Sequence, residues 1–114
     1  MLQLLPDAPF RRHRNATQVS STFDLNGKKL RELQFKNLTC GLYIDAKGQP
    51  WVSAGFEGMV LKLDWSGKVL GWFGKAGQEP LDISEAHFMT ISADLKTVYV
   101  ADSAATTLHK YVLE

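Results

Sequence analysis

Phe23-Asp24-Leu25-Asn26-Gly27-Lys28-Lys29-Leu30 and Leu63-Asp64-Trp65-Ser66-Gly67-Lys68-Val69-Leu70 carry the architecture of this chain. Set 40 positions apart, the two stretches place Asp, Gly, Lys and Leu in the same order. Asn26-Gly27 is the strongest short hairpin signal a sequence offers, and Ser66-Gly67 stands at the same point. Asp45-Ala46-Lys47-Gly48-Gln49 reads as a third turn. Between the turns lie runs of five or six residues rich in Val, Ile, Leu, Tyr, Trp and Phe, dense β formers such as Thr97–Ala101 among them. Nowhere does the i, i+3, i+4, i+7 spacing of an amphipathic helix persist.

A second alignment extends the first. Leu42-Tyr43-Ile44-Asp45 matches Met89-Thr90-Ile91-Ser92 at an offset of 47. Trp51-Val52-Ser53-Ala54 matches Tyr99-Val100-Ala101-Asp102 at 48, and Val60-Leu61-Lys62-Leu63 matches Leu108-His109-Lys110-Tyr111 at the same offset. One extra residue in the second turn accounts for the change. Nine strands are expected, at 18–24, 28–35, 41–45, 50–54, 59–64, 68–73, 88–92, 97–101 and 107–113. The longest connection, Gly74–His87, holds Gly, Pro and acidic residues and suits a turn or a short helix.

A repeat of about 40–48 residues made of four short antiparallel strands is the signature of a β-propeller blade. One such sheet cannot bury both faces alone, so neighbouring blades must sandwich it. The expected fold is all-β: a partial β-propeller of about two and a half blades. Residues 18–35 form half a blade, 41–73 a full one and 88–114 three strands of another. Residues 1–17 are expected to be a poorly structured N-terminal segment.

Gly41-Leu-Tyr-Ile-Asp-Ala-Lys-Gly-Gln-Pro-Trp-Val52 and Ile91-Ser-Ala-Asp-Leu-Lys-Thr-Val-Tyr-Val-Ala-Asp102 resemble the NHL repeat. Lys62-Leu63 and Lys110-Tyr111 sit where that repeat ends, and Gly71-Trp72-Phe73-Gly74 is similar to its closing Trp-Phe/Gly element. The resemblance spans about residues 22–114. Ala54-Gly55 replaces the usual Asp and polar loop, and the frequent Asn-x-Arg of that loop is missing from both units. NHL propellers usually have about six blades and need on the order of 250 residues. The resemblance therefore implies a C-terminal fragment, a truncated gene product, or one subunit of a propeller assembled from several chains.

The composition fits this class. The chain has 114 residues, 45% hydrophobic and 22% charged, enough for one small domain. Its formal net charge of +1 argues against non-specific nucleic-acid binding, which needs clustered cations. Arg11-Arg12-His13-Arg14 follows a short apolar stretch, the reverse of a secretory signal, and reads as a solvated terminus. No apolar run approaches the ~18 residues of a membrane-spanning helix, so no membrane association is expected. The compartment is left open; a full-length parent could be secreted or periplasmic. The single Cys40 excludes an internal disulfide and any multi-cysteine zinc cluster. No Gly-rich stretch has the spacing and context of a phosphate-binding loop.

In a propeller, ligands gather on the face that collects the loops between blades. Here those loops are Lys36–Cys40, Gly55–Gly58, Gly74–His87 and Ser103–Thr106. The candidate ligand-binding residues are Asn37, Cys40, Phe56, Glu57, Glu85 and Asp102, with His87 as a candidate metal ligand. Imidazole is the commonest metal ligand, but zinc needs three or four converging donors. Glu85-Ala-His-Phe-Met-Thr-Ile91 is similar to the last blade of peptidyl-α-hydroxyglycine amidating lyases, which implies zinc at His87 with further histidines from other blades. There an Asp follows the His; here it is Phe88. A packed, backbone-bonded His87 is the simpler alternative. Cys40 is expected to be a buried structural thiol; because both precede inner strands, His87 could lie close to it. His109 is expected half-exposed on an outer strand, and Asp45 and Asp102 are expected to fix turns.

Three readings follow: a scaffold binding a protein or small ligand on its loop face, part of a zinc-dependent lyase-like enzyme, or a non-functional truncated remnant. No cofactor is expected in the chain alone, and zinc belongs to a full-length parent. Open blade faces suggest self-association.

Overall fold

The computed structural model describes Leu4, residues 18–35 and residues 39–113, apart from the side chains of residues 18–20 and Phe35. It is all-β, with no helix among the described residues. The strands are β1 (Gln18–Phe23), β2 (Lys29–Phe35), β3 (Gly41–Ile44), β4 (Pro50–Ser53), β5 (Val60–Leu63), β6 (Val69–Phe73), β7 (Ala86–Ile91), β8 (Thr97–Asp102) and β9 (Thr107–Val112). They form three antiparallel sheets in chain order: β1-β2, β3-β4-β5-β6 and β7-β8-β9. All nine expected strands are present, with ends displaced by at most two residues. The 74–87 connection carries turns and bends rather than a helix, and β7 starts at Ala86, two residues ahead of expectation. No helix of the described residues is long and apolar enough to cross a membrane.

The hairpin turns explain why the sheets resemble one another. In Asp24–Lys28, Asp45–Gln49 and Asp64–Lys68 the Asp Oδ1 accepts from the backbone N–H groups two and four residues on. The Asp N–H donates to the carbonyl four residues on, and the Gly N–H returns to the Asp carbonyl. Gly27, Gly48 and Gly67 take φ of 85°, 82° and 90°, the left-handed region that a side chain disfavours. The β7–β8 turn is one residue longer. There Ser92 Oγ accepts from Thr97 N–H, and Leu95 takes the left-handed place at φ 63°.

Pairing registers follow the same repeat. The register shifts between Thr22 and Phe23, leaving Leu30 of β2 as the extra residue, and between Lys62 and Leu63, leaving Leu70 of β6, again 40 residues apart. Gly41 pairs with Ser53 as Phe88 pairs with Ala101, and Trp51 pairs with Lys62 as Tyr99 pairs with Lys110.

The central sheet, β3–β6, is covered on both faces. On one side Val52, Leu61 and Leu63 pack with Leu33 of β2. Arg31 lies 4.5 Å from the Trp65 ring centroid across the same junction. On the other side Trp51, Val60 and Phe73 pack with Met89, Ile91, Val98 and Val100 of β7–β8. Tyr43 Oη donates across this junction to Ile91 O at 3.2 Å. All four residues of β4 are consequently buried, as expected of a strand between two layers. In β8 buried and exposed positions alternate over Val98–Asp102, because one face is covered. The expectation of a poorly structured segment 1–17 lies outside the described residues except at Leu4, which packs against the core beside Gly71.

The outer face of β7–β9 presents Tyr99, Leu108 and Val112, all exposed, whereas the Phe88 ring reaches Gly41 of β3. By register, Tyr99 and Leu108 occupy the places of Trp51 and Val60, which in the central sheet are buried against β7–β8.

Candidate functional site

The starts of β3 and β7 meet at one end of the junction between their sheets. Gly41 permits this approach, since a Cβ there would stand 2.8 Å from the Phe88 ring and 2.9 Å from His87 O. Ser53, fully buried at the end of β4, ties both starts together. Its carbonyl accepts from Cys40 N–H at 2.8 Å, and its hydroxyl donates to His87 O at 3.0 Å. Gly55 and Ala86 exchange two backbone hydrogen bonds, at 3.1 and 2.8 Å, closing the seam.

His87 is the extra residue of a β-bulge: Ala86 pairs with Asp102 and Phe88 with Ala101. Bulges re-aim side chains. Here the outcome is that Cys40, Glu85 and His87 offer donor atoms that all lie within 4.8 Å of one another. Cys40, expected to be buried, is exposed because it precedes β3 at the open end of the junction; His87 is exposed too, and Glu85 is half-buried. The Ser103 hydroxyl donates to Glu85 Oε1.

Of the other candidates, Phe56 is exposed and Glu57 half-buried on the Gly55–Gly58 turn, which borders Cys40. Asn37 lies outside the described residues. Asp102 points inward, away from a solvent-facing role, with 2% of its surface exposed. It accepts from the N–H groups of Ser84 (2.8 Å), Glu85 (3.0 Å) and Ala105 (3.1 Å), and from His109 Nε2 at 3.0 Å. Burial pushes its carboxyl up, but the His109 bond and the three N–H groups outweigh burial and bring it down to about 2. Asp102 thus holds Glu85 in place from behind.

His109 is half-exposed on the outer strand β9, as expected, and its Nε2 is hydrogen-bonded to Asp102 Oδ2 at 3.0 Å. The β8–β9 register sets this contact: Val100 faces His109 and Asp102 faces Thr107, so Asp102 and His109 share one face of the hairpin. Ser53 and Ser103 were not marked by the sequence.

Chemically, Cys40 does not suit nucleophilic attack. Desolvation and the Glu85 carboxylate push its thiol up, whereas an activated cysteine needs it lowered. Thiol, carboxylate and imidazole together form a donor set for a cation. No protein-family model matches this chain, and no curated protein sequence matches it.

Proposed function

We propose that the three sheets are successive blades of an NHL-type β-propeller, and that the chain serves as a ligand- or protein-binding scaffold through the end where β3 and β7 begin. The supporting observation is the common direction of stacking. β2 packs on one face of the central sheet, β7–β8 on the other, and the outer face of β7–β9 repeats the apolar positions that the central sheet buries. A further sheet of the same kind is the occupant this face fits, and for the isolated chain a second copy must supply it.

Light scattering on the purified chain tests this. The expected result is a concentration-dependent mass above the monomer, which Tyr99→Lys with Leu108→Lys returns to the monomer without loss of β circular dichroism. A wild-type chain that stays monomeric at tens of micromolar would overturn the reading.

A second reading, a zinc-dependent amidating-lyase-like centre, is favoured by the position of His87. The neighbouring donors are Cys40 and Glu85 rather than histidines, so the chain's own residues fit a zinc ion but not that enzyme's ligand set.

A further inference from the structure

We propose that Cys40 Sγ, a Glu85 carboxylate oxygen and a His87 ring nitrogen form a three-donor site for a borderline-soft divalent metal, with zinc the best match. This inference stands whether or not further sheets continue the stack, because all three donors lie in this chain.

The donors come from two chain segments 45 residues apart, yet they converge within 4.8 Å, and no other such trio does so among the described residues. A tetrahedral zinc with bonds of about 2.0–2.3 Å holds its donors roughly 3.5 Å apart. Small rotations of the exposed Cys40 and His87 side chains cover the remaining ångström. The backbone beneath them is already fixed. Ser53 holds Cys40 by its carbonyl and His87 by its hydroxyl, and Asp102 holds Glu85 by its N–H. The Ser103 hydroxyl orients the Glu85 carboxylate, as outer hydrogen bonds do around metal ligands. The bulge that carries His87 turns its ring toward the other two.

The chemistry of the set selects the ion. A thiolate and an imidazole disfavour calcium and magnesium, which take oxygen donors, and favour zinc and its neighbours in the transition series. Three protein donors leave a fourth tetrahedral position for water or for a donor of the bound ligand. Binding releases the thiol proton, so affinity rises with pH.

Cobalt(II) is the probe. Titrated into the chain, it is expected to give thiolate-to-cobalt charge-transfer absorption and the strong visible bands of a four-coordinate ion, at one equivalent, displaced by one equivalent of zinc. Cys40→Ser removes the charge-transfer band. Cys40→Ser, Glu85→Gln and His87→Ala each weaken zinc binding at least about tenfold in equilibrium dialysis. His13→Ala leaves both readouts unchanged. Circular dichroism verifies that each variant is folded. Absence of the charge-transfer band in the wild-type chain would overturn the proposal. So would zinc affinity that is unchanged in Cys40→Ser and His87→Ala.

Discussion

Trp51→Ala is expected to lower the unfolding free energy by about 4 kcal/mol. Trp51 is 1% exposed in the middle of β4, where the central sheet meets β7–β9. Truncation removes a large apolar surface from between two layers that cannot both collapse into the gap, because each is held by its own ladder. It also deprives Asp45 Oδ2 of the indole N–H that reaches it at 2.8 Å. The Lys62 ammonium, 5.6 Å from the ring centroid, loses its aromatic face as well. For a domain of this size a change of that magnitude moves the melting temperature down by about 20 °C. Small domains have only about 5–15 kcal/mol in total, so the variant approaches the edge of folding. Trp51→Phe keeps part of the packing and should lose about half as much. Urea unfolding at constant m-value measures both, and a loss below about 1.5 kcal/mol for Trp51→Ala would show that the two sheets do not share this core.

Asp102→Ala is expected to cost about 3–4 kcal/mol, for a different reason. The carboxylate collects three backbone N–H groups from two loops and the His109 ring. Removing it takes the acceptor from these part-buried donors, and each one left unpaired costs about 1–3 kcal/mol before relaxation. The same carboxylate makes stability depend on pH. Its folded value of about 2 lies below the 3.8 of a free Asp side chain. Its contribution is therefore fully present above about pH 4 and is lost as the pH falls from 4 toward 2. The loss is about 2 kcal/mol, and the side chain is fully buried, so salt screens it little. Unfolding curves between pH 6 and 2 should show this slope in the wild-type chain and a shallower one in Asp102→Ala. Equal slopes would place the carboxylate outside the network.

Much of the architecture was legible because it is local. Each Asp-x-x-Gly turn is built from neighbours in sequence, so Asp24, Asp45 and Asp64 announce their hairpins directly. Alternation shows in β8, which is covered on one face, and vanishes in β4, which is covered on two. The proximity of Cys40 and His87, 47 residues apart, was suggested by the repeat rather than by locality, since both stand before the first strand of a unit. What was not legible depends on distant segments. The bulge at His87 follows from the double backbone bond between Gly55 and Ala86, over thirty residues away in sequence. Glu85 joins the cluster because Asp102, 17 residues on, captures its N–H. No spacing rule marks such pairs. They appear only when the loop paths are known.

The ordered stacking of the three sheets underlies the site, the stability predictions and the proposed function alike. Nuclear Overhauser spectroscopy on the folded chain tests it directly. Phe73 of β6 and Tyr111 of β9 have ring centroids 4.8 Å apart across one junction, and Arg31 of β2 lies 4.5 Å from the Trp65 centroid across the other. Cross-peaks between Phe73 and Tyr111 ring protons, and between Arg31 and Trp65, are predicted together with the within-sheet pattern. A spectrum that keeps the strand pairings but lacks both inter-sheet contacts would contradict the stack.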